Sequence, residues 1–317
     1  MTIPPTSRDG EKTPETRTAP DFSKFNVHDS FCNPITKTNP SGEGRRHLSR
    51  QQLEAVLASL SERDIEVIAS IQRYRYLLTS QLQRLYFSDA STPTAGLRAA
   101  SRSLKKLREL GLIDHLARRI GGVRAGSGAM VWYLTHAGER LIYLHSRKLT
   151  PTKRFFEPSP YFLAHTLAVA EVAVQLTELC RDHRGMELSS LQPEPNCWRN
   201  YSECGSILVL KPDLFAVTLS DRYEDRWFFE IDLDTESPVK VVEKCEKYHR
   251  YYRSGLEQKE SEVFPLTVWI VPTAERRNRI IAHIRKAFEK QPKLFAVITK
   301  DELVHLIQHG GDERMLC

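Results

Sequence analysis

Apolar residues in the first half of the chain recur at helical spacing and then give way to strand-like runs. Ile65, Ile68 and Ile71 follow Ser61, whose hydroxyl suits a helix start. Thr79 is placed to cap a shorter helix carrying Leu82 and Leu85. Pro93 opens a longer helix that Gly111, a residue tolerant of left-handed backbone, brings to an end. At about 100° per residue, Leu97, Ala100, Leu104 and Leu107 fall on one face of that helix, and Arg98, Arg102 and Lys105 group almost opposite them. Leu112 and Ile113 start a strand, Gly121 to Gly128 supplies a flexible tip, and Val131 to Leu134 returns, which predicts a hairpin. Thr135 then caps a closing helix through Leu141 and Leu144.

The second half carries a different pattern. Pro151 to Pro160 holds three prolines and little periodicity, and reads as a linker. Tyr161 to Cys180 is apolar on more than one side, as expected of a helix buried on several faces. Three strands are predicted next: a weak one between Met186 and Trp198, then Ile207 to Leu219, then Arg226 to Leu233. Ser237 and Pro238 begin a helix running to about Tyr252. Leu266 to Val271 is the continuous apolar run of a central parallel strand, and a helix from Ala274 to Phe288 and a strand from Leu294 to Thr299 follow.

These patterns divide the 317 residues into a disordered tail at 1–47, a first domain at 48–150, a linker at 151–160, a second domain at 161–308 and a short tail at 309–317. The fold class expected is α/β. Lys and Arg together number 46 against 40 Asp and Glu, a net charge of +6 that permits a polyanionic partner without requiring one. No secretory signal follows Met1, and no apolar stretch approaches the ~20 residues needed to span a bilayer, so a cytoplasmic protein without membrane contact is expected. The six scattered cysteines contain no CxxC pair and read as reduced thiols; Cys197, Cys204 and His183 have no common zinc spacing.

Three helices followed by a hairpin are the plan of a winged helix-turn-helix, whose third helix enters the major groove of DNA while the wing touches backbone. The string Leu107 to Ile113, followed after the hairpin by Trp132 to Ile142, resembles the recognition-helix end, wing and closing helix of bacterial winged-helix proteins. The residues expected to meet double-stranded DNA are Arg98, Arg102, Lys105 and Lys106 on the helix and Arg118, Arg119 and Arg124 near the wing tip. Arginine forks suit phosphates and guanine edges, and the hydroxyls of Thr94, Ser101 and Ser103 add neutral contacts.

The order helix, three strands, helix, strand in the second half resembles the αβββαβ core of restriction endonucleases. Asp213 lies in Lys211-Pro212-Asp213, and Glu230 and Asp232 stand two apart, so strand alternation puts both on one face with Phe229, Ile231 and Leu233 on the other. Glu171 projects from the apolar first helix. Converging carboxylates are the donors Mg²⁺ or Mn²⁺ would take for phosphodiester chemistry, so Glu171, Asp213, Glu230 and Asp232 form the expected metal set, with no organic cofactor. Pro212-Asp213 and Glu230 resemble the PD-(D/E)xK nuclease motif, but Asp232 stands where its lysine belongs. Lys240, Lys244 or Lys247 on the next helix would have to supply that charge, with Lys244 grouped beside Asp213, Glu230 and Asp232 as a catalytic candidate.

Residues about 60 to 290 resemble the replication-relaxation family of actinobacterial plasmid and mobile-element proteins. The resemblance is carried by the winged-helix strings, His165-Thr166-Leu167, Lys211-Pro212-Asp213, Phe228-Phe229-Glu230-Ile231-Asp232, and Lys244 to Tyr248 with Tyr251 and Tyr252. It implies a DNA-binding accessory protein in replication, relaxation or mobilisation, with a degenerate nuclease-like domain and a relaxase, a replication protein or a second copy as partner. A metal-dependent DNA endonuclease addressed by its winged helix and a winged-helix transcription regulator are the alternative readings.

Overall fold

The computed structural model describes residues 48–116, 130–146, 157–203, 205–221, 223–310 and 314–317. The expected tail at 1–47, the wing tip with Arg118, Arg119 and Arg124, and most of the linker lie outside the described residues.

The N-terminal half begins with a helix the apolar pattern did not reveal, α1 (Arg50–Ser59), closed by a capping box between Ser49 and Gln52. Then come α2 (Glu62–Tyr74), capped by Ser61 as expected, and a two-residue strand, β1 (Leu77–Leu78). Helix α3 (Thr79–Tyr86) has Leu78 rather than Thr79 at its cap position. The Thr79 hydroxyl instead accepts from the Trp132 indole at 2.9 Å, while the Gln81 side chain accepts from the Leu78 N–H. Helix α4 (Pro93–Glu109) starts at Thr92 and Pro93 and is followed by Gly111 at φ 74°. Strands β2 (Ile113–His115) and β3 (Val131–Leu134) pair antiparallel, and β1 adds to the other edge of β3. Thr135 caps α5 (His136–Ser146), accepting from the Gly138 N–H.

In the second half, α6 (Pro160–Asp182) is capped by Ser159 and buries most of its length. Five strands form one mixed sheet in the order β10, β9, β8, β7, β4: β4 (Met186–Pro193), β7 (Leu214–Ser220), β8 (Glu224–Ile231), β9 (Leu266–Val271) and β10 (Phe295–Thr299). The pairs β4–β7 and β7–β8 are antiparallel; β8–β9 and β9–β10 are parallel. The parallel pairs need crossovers, which α7 (Pro238–Ser254) with the short α8 (Leu256–Ser261), and α9 (Ala274–Ala287), supply. Helix α10 (Leu303–His309) follows β10.

Two expectations are corrected here. The single strand read from Ile207 to Leu219 is broken: β5 (Arg199–Glu203) and β6 (Ser206–Leu210) form their own hairpin, and β7 starts only after Lys211-Pro212-Asp213. Pro212 has no N–H to give a ladder, so a break there is what a proline in a strand imposes. Second, the chain after 308 is not only a tail. Met315 and Cys317 are buried, and Cys317 exchanges backbone hydrogen bonds with Phe295, covering the outer edge of β10.

Alternation along the sheet gives it two apolar faces. Trp227, Phe229 and Ile231 of β8 face α6 and join a core continuous with Leu53, Ile68, Leu104 and Leu141 of the N-terminal half. Phe228 faces the opposite layer with Val241, Tyr248 and Ile280. The four described cysteines, Cys180, Cys197, Cys245 and Cys317, carry free thiols. Among the described residues α6 alone is long and apolar enough to cross a membrane, and 61% of its apolar window is buried inside the protein.

Candidate functional site

Helix α4 presents the basic face at the molecular surface. Its buried positions are Gly96, Ala100, Leu104 and Leu107, while Leu97 is 43% exposed, a correction to the expected leucine stripe. The reason is steric: a Cβ on residue 96 would sit 2.5 Å from the Phe87 carbonyl oxygen at the end of α3, so the seam runs over a glycine and Leu97 is turned outward. Arg98, Arg102 and Lys105 are all exposed. Lys105 lies 3.8 Å from Glu109 one turn on, while Arg98 and Arg102 have no carboxylate partner among the described residues. Lys106 and Ser103 differ from expectation. Both reach back to the buried Asp64 of α2, at 2.9 Å each, so their polar atoms hold α4 against α2. Asp64 also accepts from the Ser61 N–H, and these partners outweigh burial to hold its carboxyl below the usual value.

The second constellation lies where β7 begins and β8 ends. Asp213, 7% exposed, accepts from the Ile231 N–H at 2.8 Å, and its other oxygen is 3.3 Å from His165 Nε2 on α6. Glu230, 1% exposed, takes one hydrogen bond from Lys244 Nζ and one from the Tyr248 hydroxyl. Lys244 and Tyr248 are four apart on α7 and so lie on one helix face. Of the three lysines considered on this helix, it is Lys244 that reaches the carboxylates.

Charge in this cluster is shared. Burial pushes the Glu230 carboxyl up to about 8, with the Asp213 charge adding to the rise and Lys244 opposing it. Burial works against Asp213 as well, but His165, Lys244 and the Ile231 N–H hold its carboxyl below the usual value. For His165 and Lys244 burial disfavours charge, yet the neighbouring carboxylates outweigh it and raise both. Tyr248 is pushed well up by burial and by Glu230.

The four carboxylates expected as a metal set do not form one. Glu171, 1% exposed, faces α3: it accepts from Arg84 at 2.6 Å and from Gln81 at 3.1 Å. Asp232 is taken by the fully buried Arg276 of α9 at 2.6 Å and accepts from the Asp234 N–H. Each carboxylate thus meets a cation from a different helix, because a buried acid without one is costly. Asp213 and Glu230 remain together, with every oxygen already engaged by a protein donor. No group of three His, Cys, Asp or Glu side chains suited to a metal ion occurs among the described residues, so the donor set does not fit the expected Mg²⁺ or Mn²⁺ site. His165, Tyr248, Arg84 and Arg276 were not anticipated as site residues. His165 and Tyr248 stood only in the strings that carry the family resemblance, the i, i+4 spacing put Lys244 and Tyr248 on one helix face, and nothing local pointed to Arg84 or Arg276.

The molecule is therefore a mixed α/β protein with an exposed basic helix beside a small sheet and, on a larger sheet, a buried carboxylate–lysine cluster. It belongs to the replication-relaxation family, whose model matches residues 68–267. Membership suggests a role in the replication or relaxation of a plasmid or mobile element. No curated protein and no solved structure matches the chain.

Proposed function

We propose that this protein is a DNA-binding accessory factor in plasmid or mobile-element replication, relaxation or mobilisation. On this reading residues 48–150 are a winged helix-turn-helix, with α4 as its recognition helix, and the domain from 161 onward has a restriction-endonuclease-like core. The observation that carries it is the solvent face of α4, where Arg98 and Arg102 stand exposed and, among the described residues, without carboxylate partners, flanked by Lys105. An exposed basic stripe on a helix whose extensive contacts among the described residues are with α3 and β2, and with no element of the second half, is suited to phosphates. The order α6, β4, β7, β8, α7, β9 supports a nuclease-like core. The closed, internally paired state of Asp213 and Glu230 supports a degenerate one. Partners beyond duplex DNA, whether a relaxase, a replication protein or a second copy, belong to the same proposal, as does a cytoplasmic location.

The test is a mobility-shift titration of a random-sequence duplex with wild type and with Arg98→Ala/Arg102→Ala/Lys105→Ala. The variant, unchanged in fold by circular dichroism, loses most binding; equal binding would refute the assignment. One observation favours a second reading, strand cleavage: Lys244 lies beside Glu230, where the nuclease motif needs a cation. Supercoiled plasmid incubated with Mg²⁺ or Mn²⁺ decides it. Nicking abolished by Asp213→Asn and Lys244→Met would promote the nuclease, and intact plasmid is expected.

A further inference from the structure

The β5–β6 hairpin has one face on the core and one in solvent. Tyr201 and Leu210 join the apolar layer that holds Tyr248 and Tyr251 of α7, while Asn200, Ser202, Ile207 and Val209 alternate outward. Ile207, at 80%, is the most exposed large apolar side chain among the described residues, and Val209 is 40% exposed. Only two residues separate Glu203 from Ser206, which are direct cross-strand partners, so this pair exchanges both of its backbone hydrogen bonds. Alternation then turns the N–H and C=O of Leu208 and Leu210 toward β5, and those of Ile207 and Val209 away from it. Among the described residues these outward groups have no backbone partner. Other strand edges are protected. Cys317 covers the outer edge of β10, and β4, at the far edge of the same sheet, is irregular between Leu188 and Ser190. Strand β6 has no proline, charge or bulge from Ser206 to Leu210 to serve that purpose.

An open edge with β-branched side chains is a template for another strand, and its pattern selects a second copy of this chain. With a two-fold axis at Leu208, an antiparallel copy sets each Ile207 directly opposite the partner's Val209. Every outward N–H and C=O of the two residues then finds a partner in one register, and each pair also brings two exposed β-branched side chains together. Charge agrees with this arrangement. Glu203 precedes β6 and Lys211 follows it, so antiparallel pairing sets the basic end of one copy against the acidic end of the other, whereas parallel pairing would stack like charges. The strand itself offers no cation to a phosphate, which disfavours nucleic acid here. We propose that the chain self-associates by pairing β6 antiparallel with β6 of a second copy about a two-fold axis at Leu208. An edge this short buries less than a permanent interface does, so the dimer forms in a concentration-dependent way. Of the partners named above this selects the second copy, and it does not depend on duplex binding by α4.

The experiment is analytical ultracentrifugation of the full chain, without DNA, over a range of concentrations. Wild type shifts from monomer to dimer as concentration rises. Ile207→Glu and Val209→Lys alter side chains that face solvent, so both keep the wild-type circular dichroism. Each stays monomeric, because each sets a lone charge against an apolar side chain of the partner. An equimolar mixture of the two variants recovers the dimer, since the acid introduced in one then faces the base introduced in the other. A wild type that stays monomeric at every concentration overturns the second copy and leaves the edge to an unrelated strand. Variants that dimerise as wild type does overturn β6 as the surface. Loss in both variants with no recovery in the mixture also overturns the pairing, since it assigns association to exposed apolar area without a defined register. Duplex binding is measured separately, so failure of the α4 assignment leaves each of these outcomes unchanged.

Discussion

Glu230 is buried where an unpaired charge would be costly, and the half-buried Lys244 supplies its partner, so removing Lys244 alone would leave an uncompensated acid. The raised Glu230 value sets a sign. The folded protein holds a proton that the unfolded chain releases near 4.5, so the stabilisation is complete below that pH and is lost as pH rises toward about 8. Wild-type stability should therefore fall across this window by an amount that Glu230→Gln removes, as urea titrations at pH 5 and pH 8.5 would show. Equal pH slopes in the two proteins would contradict the assignment. Asp213 and His165 act in a complementary way. The lowered Asp213 value gives stability present above its usual 3.8 and lost in acid. The raised His165 value gives stability present below its usual 6.5 and lost as pH rises through the folded value. The difference between wild type and His165→Gln should be largest below pH 6.5 and shrink as pH rises through the folded value in the same titrations.

At the scale of elements, the seam between α3 and α4 turns on Gly96. An added methyl would meet the Phe87 carbonyl oxygen, which is backbone and cannot swing away. Gly96→Ala should destabilise by about 1–3 kcal/mol, the usual cost of overpacking, and weaken DNA binding by displacing α4. A melting temperature and affinity equal to wild type would show that the seam tolerates the change. This seam also marks the limit of what the sequence made legible. Helical spacing located α2, α3, α4, α6, α7 and α9 to within a few residues, because each buries a regular apolar stripe. It could not tell that the buried line of α4 runs through Gly96 rather than Leu97, since glycine carries no apolar signal. Strand β6 was merged with β7 because Ile207 to Leu219 is apolar over most of its length, with Pro212 the residue that gave the break away, and β5 (Arg199–Glu203) was not read as a strand because its residues are mostly polar. For the site, Pro212-Asp213 and Glu230 were visible in sequence order. Lys244 was one of three candidates until the helix phase was known. Arg276 lies 44 residues from Asp232, and nothing local announces that pair.

For the whole molecule, the N-terminal half is not loosely tethered to the sheet. One apolar core runs from Leu53 through α6 to Met315, and Arg84 of α3 spans the junction by pairing with Glu171 and Glu178 of α6. Arg84→Ala leaves Glu171 buried and short of its closest cation, which should cost about 3 kcal/mol. Because the core is shared, unfolding should remain one cooperative transition at a lower urea midpoint. Two separated transitions in the variant would show that the halves are held together by this ion pair more than by apolar packing. A fixed junction also means that α4 and the Asp213–Glu230–Lys244 cluster would meet DNA at a constant separation. The most direct measurement is the salt dependence of duplex binding for wild type and for Arg98→Ala/Arg102→Ala/Lys105→Ala. Each lost phosphate contact lowers the slope of log K against log salt by about 0.9, so a decrease of roughly 2–3 is expected. Identical slopes for the two proteins would mean that this helix face does not touch DNA.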